Sequence, residues 1–131
     1  MCRAVILGGK ISRKPRGFAM NKYVMELIGT FFLVLPIGCT VIGDSTGVIP
    51  PLAIGMVLAA MVFATGHISG GHLNPAVTLG VFLRGRCPAS DVVPYMIAQV
   101  VGAVLAAIAV KFLKSGVVVQ PMTLNIGQAF V

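Results

Sequence analysis

Three apolar runs set the strongest limit on how this 131-residue chain can fold. They cover residues 23–43, 51–66 and 92–113, and the only charged side chains within them are Glu26 and Lys111. At a rise of about 1.5 Å per residue, helices of this kind are suited to a hydrocarbon core about 30 Å thick. Charged residues make up 10% of the sequence, whereas soluble domains contain roughly 25%. We therefore predict an integral membrane protein with three transmembrane helices.

The net charge of +7 is distributed unevenly along the chain. Six lysines and arginines precede the first run and Arg84 and Arg86 follow the second, but only Lys111 and Lys114 lie at the far end of the third. Positive residues concentrate on the cytoplasmic side of membrane proteins, so this bias predicts a cytoplasmic N-terminus. Residues 1–22 are then a basic cytoplasmic tail that rests on anionic lipid or stays solvated, and no nucleic-acid partner is predicted.

The segments outside the runs carry turn and capping signals. Residues 44–47 and the two prolines that follow predict a tight connection, so the first two helices form an antiparallel hairpin. Ser90 or Asp91 is expected to cap the third helix. Residues 115–131 have no clear period, and we expect them to form an extracellular loop that runs to a truncated end.

Residues 66–78, GHISGGHLNPAVT, are polar and rich in glycine although they directly follow an apolar run. Non-helical backbone survives at membrane depth only inside protein or along a water-filled cavity. Asn74 is a favoured N-cap and Pro75 fits the first helical position, so a short helix is predicted there, with Gly85 at its end. About ten residues cover roughly 15 Å, half of the hydrocarbon thickness. Residues 67–86 are therefore predicted to form a re-entrant loop and half-helix.

A re-entrant half-helix places Asn74 near the bilayer centre and points the free N–H groups of its first turn into a path across the membrane. The partial positive charge there repels cations and hydronium, whereas oxygen lone pairs are attracted. The Asn74 amide can donate a hydrogen bond to a water or alcohol oxygen. Four preceding carbonyls are expected to be unpaired and to accept from the same solute: Gly70, Gly71, His72 and Leu73. This pattern predicts a channel for water or small neutral solutes.

Three stretches of the sequence resemble the aquaporin, or major intrinsic protein, family. SGGHLNPAVT is similar to the first Asn-Pro-Ala loop of that family, ELIGTFFLV to its first span and YMIAQVVGAVLAA to its third. The resemblance implies an all-α membrane fold in which residues 23–114 form the first of two inverted repeats. That repeat comprises three transmembrane helices and one re-entrant half-helix.

The resemblance also implies roles for single residues. The motif that lines the pore is expected to be Asn74, Pro75 and Ala76. Glu26 is expected to hold the loop by accepting its N–H groups, although snorkelling at the membrane boundary is the alternative. Gln99 is expected to be a buried polar support, with an ordinary interhelical hydrogen bond as the alternative. Ile54 occupies a selectivity-filter position where water-selective relatives carry an aromatic residue and glycerol carriers a tryptophan, so the solute class stays open.

The resemblance covers one repeat, whereas the family's pore forms where two half-helices meet. The chain is therefore expected to supply half of a pore, to lack a second repeat encoded beyond codon 131, and to assemble as a homotetramer at full length. Met20 lies just before the first run, which indicates that residues 1–19 are an upstream extension of the reading frame. Two alternatives remain, a glycerol-type solute facilitator and a non-conducting truncated membrane fragment.

Enzymatic activity is not expected. Ser69 fits neither the Gly-x-Ser-Gly of intramembrane serine proteases nor the G-x-S-x-G elbow. A metal site built from His67 and His72 lacks a third ligand, because Asp44 and Asp91 belong to other loops. We predict no cofactor, and the expected partners are the lipid bilayer and a neutral solute.

Overall fold

A computed structural model describes residues 16–42 and 48–116, with side chains from residue 20 onward. These residues form four α-helices: α1 (Arg16–Val41), α2 (Ile49–Thr65), α3 (Pro75–Leu83) and α4 (Ala89–Leu113). The predictions for most of the basic tail, for the turn at residues 44–47 and for most of residues 115–131 lie outside the described residues.

Two of the helices are long and apolar enough to cross a membrane, over Met20–Val41 and Ala89–Leu113. α2 is a shorter apolar helix of 17 residues. Many large apolar side chains lie on the outside, such as Phe63 (86% exposed) and Phe112 (83% exposed). So much exposed apolar surface is unfavourable in water but suits hydrocarbon, and the all-helical class agrees with the prediction.

The helix bounds differ from the predicted runs mainly at the N-terminal ends. α1 begins at Arg16 and ends at Val41, whereas the run covers 23–43. The extra residues include basic Arg16 and Lys22, and a helix can continue beyond the hydrocarbon core because the run measures apolar length only. α2 and α4 begin two and three residues before the runs at 51–66 and 92–113.

The predicted cap of α4 is wrong. Pro88 is the N-cap, in an extended conformation with φ −69° and ψ 144°, and makes no side-chain capping bond. Ser90 and Asp91 both lie inside the first turn. The Asp91 carboxylate instead accepts hydrogen bonds from Lys22 and Tyr23 of α1, so a tertiary contact displaces the local capping role.

α1 lies at the centre of the described residues, in contact with both α2 and α4, while α3 packs against α4. Glycine allows the close approach of α1 and α4. A β-carbon at Gly102 would overlap the Leu27 carbonyl oxygen and lie 3.2 Å from the Phe31 nitrogen. Gly38 lies against the Val110 side chain in the same interface. Such small residues let helix backbones pack closely where lipid removes the hydrophobic driving force between helices.

Candidate functional site

The chain leaves the regular helix after α2 through a turn and then an irregular segment. The amides of Ile68 and Ser69 donate to the Thr65 carbonyl at 3.0 and 2.9 Å. Residues 70–73 have no regular secondary structure. Gly70 has φ 98°, a left-handed conformation that glycine adopts without steric cost. The non-helical backbone that the sequence predicted from residue 66 onward begins only at residue 70, because Gly66 keeps a helical conformation (φ −59°, ψ −34°) and residues 66–69 form turns.

α3 begins and ends with local capping chemistry. Asn74 is extended, with φ −156° and ψ 133°, and its side-chain oxygen accepts from the Ala76 amide at 2.8 Å. Pro75 occupies the first helical position. At the other end Gly85 has φ 67°, and the Arg86 amide donates to a carbonyl five residues back at 3.0 Å, which is a Schellman cap. The predicted helix start and the predicted role of Gly85 are confirmed.

The Glu26 carboxylate is the centre of a buried hydrogen-bond network. Glu26 is fully buried on α1. One oxygen accepts from the Ser69 hydroxyl at 2.6 Å and the His72 amide at 3.0 Å. The other accepts from the Leu73 amide at 2.6 Å and the Gln99 side-chain amide at 2.8 Å. An acceptor with two oxygens thus satisfies backbone donors that irregular structure would leave unpaired.

Thr78 joins this network to α3 and was not among the residues predicted from the sequence. Both Thr78 and Gln99 are fully buried, and the Gln99 side-chain nitrogen lies 2.9 Å from the Thr78 hydroxyl. That hydroxyl also lies 3.2 Å from the Asn74 carbonyl and 3.2 Å from Nδ1 of His72. The available signal was a hydroxyl four residues after Asn74, on the same helix face.

Two hydroxyl groups bind carbonyls of the segment between α2 and α3, and neither was predicted. Thr30 of α1 donates to the Leu73 carbonyl at 3.2 Å. Tyr95 of α4 donates to the Ser69 carbonyl at 2.7 Å. The expectation that the Leu73 carbonyl is unpaired is therefore wrong, because a side chain 43 residues away reaches it. For Gly70, Gly71 and His72, a role of the carbonyls in solute binding stays a prediction.

The remaining predicted residues are placed as follows. Asn74 and Ala76 are exposed and Pro75 is half-buried at the start of α3. Ile54 is half-buried on α2, outside the Glu26 network. Over residues 16–42 and 48–116, no three side chains form a group that could hold a metal ion. Asn74 is exposed beside a segment that buried polar groups hold in place.

Long apolar helices around such a polar loop define an integral membrane protein. The model of the major intrinsic protein family matches residues 19–131. The chain is 46% identical to Aquaporin Z of Rhodopseudomonas palustris over 105 residues, which are 73% of this chain and 43% of that protein. It is 43% identical to Glycerol uptake facilitator protein-like 6 of Lactiplantibacillus plantarum, over 70% of this chain and 43% of that protein.

The chain belongs to the major intrinsic protein family, whose members are channels and not enzymes. The resemblance found in the sequence is confirmed. The chain spans less than half the length of the relatives named above.

Two substitutions of Thr78 distinguish the contribution of its hydroxyl from that of its methyl group. We expect Thr78→Val to lower the free energy of unfolding by about 1–3 kcal/mol, because buried partners of the hydroxyl lose their hydrogen bond. Thr78→Ser keeps the hydroxyl and should lose less. The measurement is equilibrium unfolding in lipid–detergent micelles. A loss for Thr78→Ser that equals or exceeds the loss for Thr78→Val would contradict the dominant role of the hydroxyl.

Proposed function

We propose that this chain forms part of a channel for the passive movement of water or small neutral solutes. The observation that carries the proposal is exposed Asn74 at the start of α3. Its side-chain oxygen is used by the Ala76 amide, so the side-chain NH₂ group can donate to a solute oxygen. Pro75 and Ala76 complete the surface that the solute passes.

The proposed topology has α1, α2 and α4 as three transmembrane helices and residues 67–86 as a re-entrant loop and half-helix. The nine residues of α3 cover about 14 Å, too short to cross a core of about 30 Å. Irregular backbone at residues 70–73 is acceptable at that depth because Glu26 and Thr30 bind it. The basic bias toward one side supports a cytoplasmic N-terminus.

The electrostatics of α3 favour neutral solutes in this proposal. The N-terminal end of a helix carries a partial positive charge, which opposes the passage of cations. The buried Glu26 carboxylate accepts four hydrogen bonds from protein groups, so its charge is compensated away from the path. Free carbonyls of Gly70, Gly71 and His72 would accept hydrogen bonds from the solute.

A complete pore requires more than the part described here. The chain spans less than half the length of its relatives, so we propose that it supplies one half-helix and that a second repeat supplies the other. A full-length assembly would be a homotetramer. Ile54 is the proposed contribution of this chain to the selectivity filter. Relatives named for water and for glycerol both match, which keeps both solutes as candidates.

Osmotic shrinkage of proteoliposomes tests the proposal. We expect vesicles that contain the chain together with the proposed second repeat to shrink faster than empty lipid, and Asn74→Asp to reduce the added permeability about fivefold, as expected for one lost hydrogen bond of about 1 kcal/mol. Aspartate is also a good N-cap, so α3 should persist.

The matched control is Asn21→Asp, the same chemical change at an exposed position near the start of α1, which should leave permeability unchanged. Shrinkage no faster than empty lipid would favour a non-conducting membrane protein. An added permeability to glycerol that exceeds the added permeability to water would favour the facilitator.

A further inference from the structure

Four side chains form a contact between the beginnings of α1 and α4, and we call them the α1–α4 cluster: Lys22, Tyr23, Asp91 and Tyr95. The Lys22 ammonium lies 2.6 Å from one Asp91 oxygen. The Tyr23 hydroxyl donates to the other Asp91 oxygen at 2.9 Å. The side chains of Lys22 and Asp91 are only 20% and 11% exposed, so water screens this ion pair less than a surface pair. Asp91 therefore holds two groups of α1 at once.

Tyr95 extends this contact to the irregular segment. It is 3% exposed and lies one helical turn after Asp91. The ring of Tyr23 meets the ring of Tyr95 edge-on, with centroids 5.6 Å apart and planes at 87°. The Tyr95 ring also packs against the His72 ring, with centroids 5.1 Å apart, and the Tyr95 hydroxyl donates to the Ser69 carbonyl at 2.7 Å. Contacts thus run without a gap from the Asp91 carboxylate to the loop.

Different side chains bind the N–H groups and the carbonyl groups of the loop. Glu26 is a carboxylate and can only accept, so it fixes N–H groups of the loop and cannot bind its carbonyls. A carbonyl of the loop requires a donor from elsewhere, and at Ser69 that donor is the Tyr95 hydroxyl. The Tyr95 side chain is rigid apart from two torsion angles. The position of its hydroxyl therefore depends on the groups that pack against its ring. Tyr23 packs there, and Asp91 fixes Tyr23.

We propose that Asp91 is a positioning residue for the re-entrant segment. It orients Tyr23 and, through the edge-on ring contact, sets the Tyr95 hydroxyl on the Ser69 carbonyl. Its ion pair with Lys22 holds α1 and α4 together at the same level. The proposal rests on the proposed function only in taking the positioned segment as the lining of a solute path, and its structural part is tested without any transport measurement.

The test reads the Ser69 carbonyl directly. In this sequence a serine precedes a glycine only at residues 69–70 and 115–116. Serine labelled with ¹³C at the carbonyl, combined with ¹⁵N-glycine, selects these two peptide bonds in solid-state NMR of the chain in lipid. Ser115→Ala removes the second signal and leaves that of Ser69.

Three variants in this background decide the proposal. Tyr95→Phe removes the donor, so we expect the carbonyl resonance to shift upfield, as carbonyls do when they lose a hydrogen bond. Asp91→Ala should shift the resonance in the same direction by a smaller amount. Asp91→Glu keeps a carboxylate for Lys22 and Tyr23 and should bring the resonance back toward its original position. A general loss of folding would not give a large shift for Tyr95→Phe, a smaller one for Asp91→Ala and a recovery for Asp91→Glu.

Two further variants keep the result decisive. Tyr23→Phe removes one hydroxyl without changing charge, and should give a smaller upfield shift even if Asp91→Ala does not fold. Val93→Ala, at an exposed position in the same part of α4, should leave the resonance unchanged. The proposal is overturned if Tyr95→Phe shifts the resonance while Asp91→Ala and Tyr23→Phe do not. It is also overturned if Tyr95→Phe causes no shift.

Discussion

Glu26→Ala will release the irregular segment between α2 and α3 and remove any channel activity. Four donors lose the carboxylate in this variant, from Ser69, His72, Leu73 and Gln99, and the Ser69 hydroxyl can still donate to the Thr65 carbonyl. Each buried donor without a partner costs about 1–3 kcal/mol, so even partial repair by water leaves a loss that is large beside the 5–15 kcal/mol typical of a whole domain. Amide hydrogen exchange across residues 66–74 measures the release, and osmotic shrinkage measures the activity.

Glu26→Gln should have an intermediate effect. The amide keeps one acceptor oxygen but turns its NH₂ group toward donors of the loop, so about half of the network is lost. Thr40→Val is the matched control on α1, because the hydroxyl of Thr40 donates to the Pro36 carbonyl one turn before it in the same helix. Unchanged exchange protection in Glu26→Ala would refute the central position of this carboxylate.

Gly102→Ala is expected to separate α1 from α4. The added methyl group would overlap the Leu27 carbonyl oxygen and approach the backbone of Phe31, and backbone cannot move aside as a side chain does. We expect a loss of about 1–3 kcal/mol in the free energy of unfolding, the usual range for overpacking. The measurement is thermal or SDS unfolding in micelles, followed by a fluorescent thiol reagent that reacts as buried Cys87 becomes accessible.

Gly55→Ala is the matched control for this change. Gly55 lies within α2, and a β-carbon there would meet no atom within 4 Å in the described part of the chain. Both variants gain the same helix propensity, about 1 kcal/mol, so their difference isolates the contact between α1 and α4. If both variants unfold alike, close approach at Gly102 contributes nothing to the stability of the protein.

The sequence predicted local structure well because the causes are local. The start of α3 depends on Asn74 and the two residues after it, and its end depends on Gly85. Apolar length similarly located α1, α2 and α4 to within a few residues, except where α1 extends beyond its apolar run. These features need no knowledge of distant contacts.

Distant contacts explain what the sequence did not reveal. Asp91 resembles an N-cap locally, but its partners Lys22 and Tyr23 lie 69 and 68 positions away. Thr30 and Tyr95 reach loop carbonyls across 43 and 26 positions. A hydroxyl in an apolar helix can satisfy itself with its own backbone, so sequence alone does not show which one reaches across to another element.

The backbone at Leu73 has an evolutionary consequence. Its φ of 52° is left-handed, which costs a residue with a β-carbon about 1–2 kcal/mol. Glycine would remove that cost but also the buried side chain that packs directly against Gly29. A larger residue at 29 would push this side chain away and turn the entry to α3. Substitutions at positions 29 and 73 should therefore be accepted in pairs.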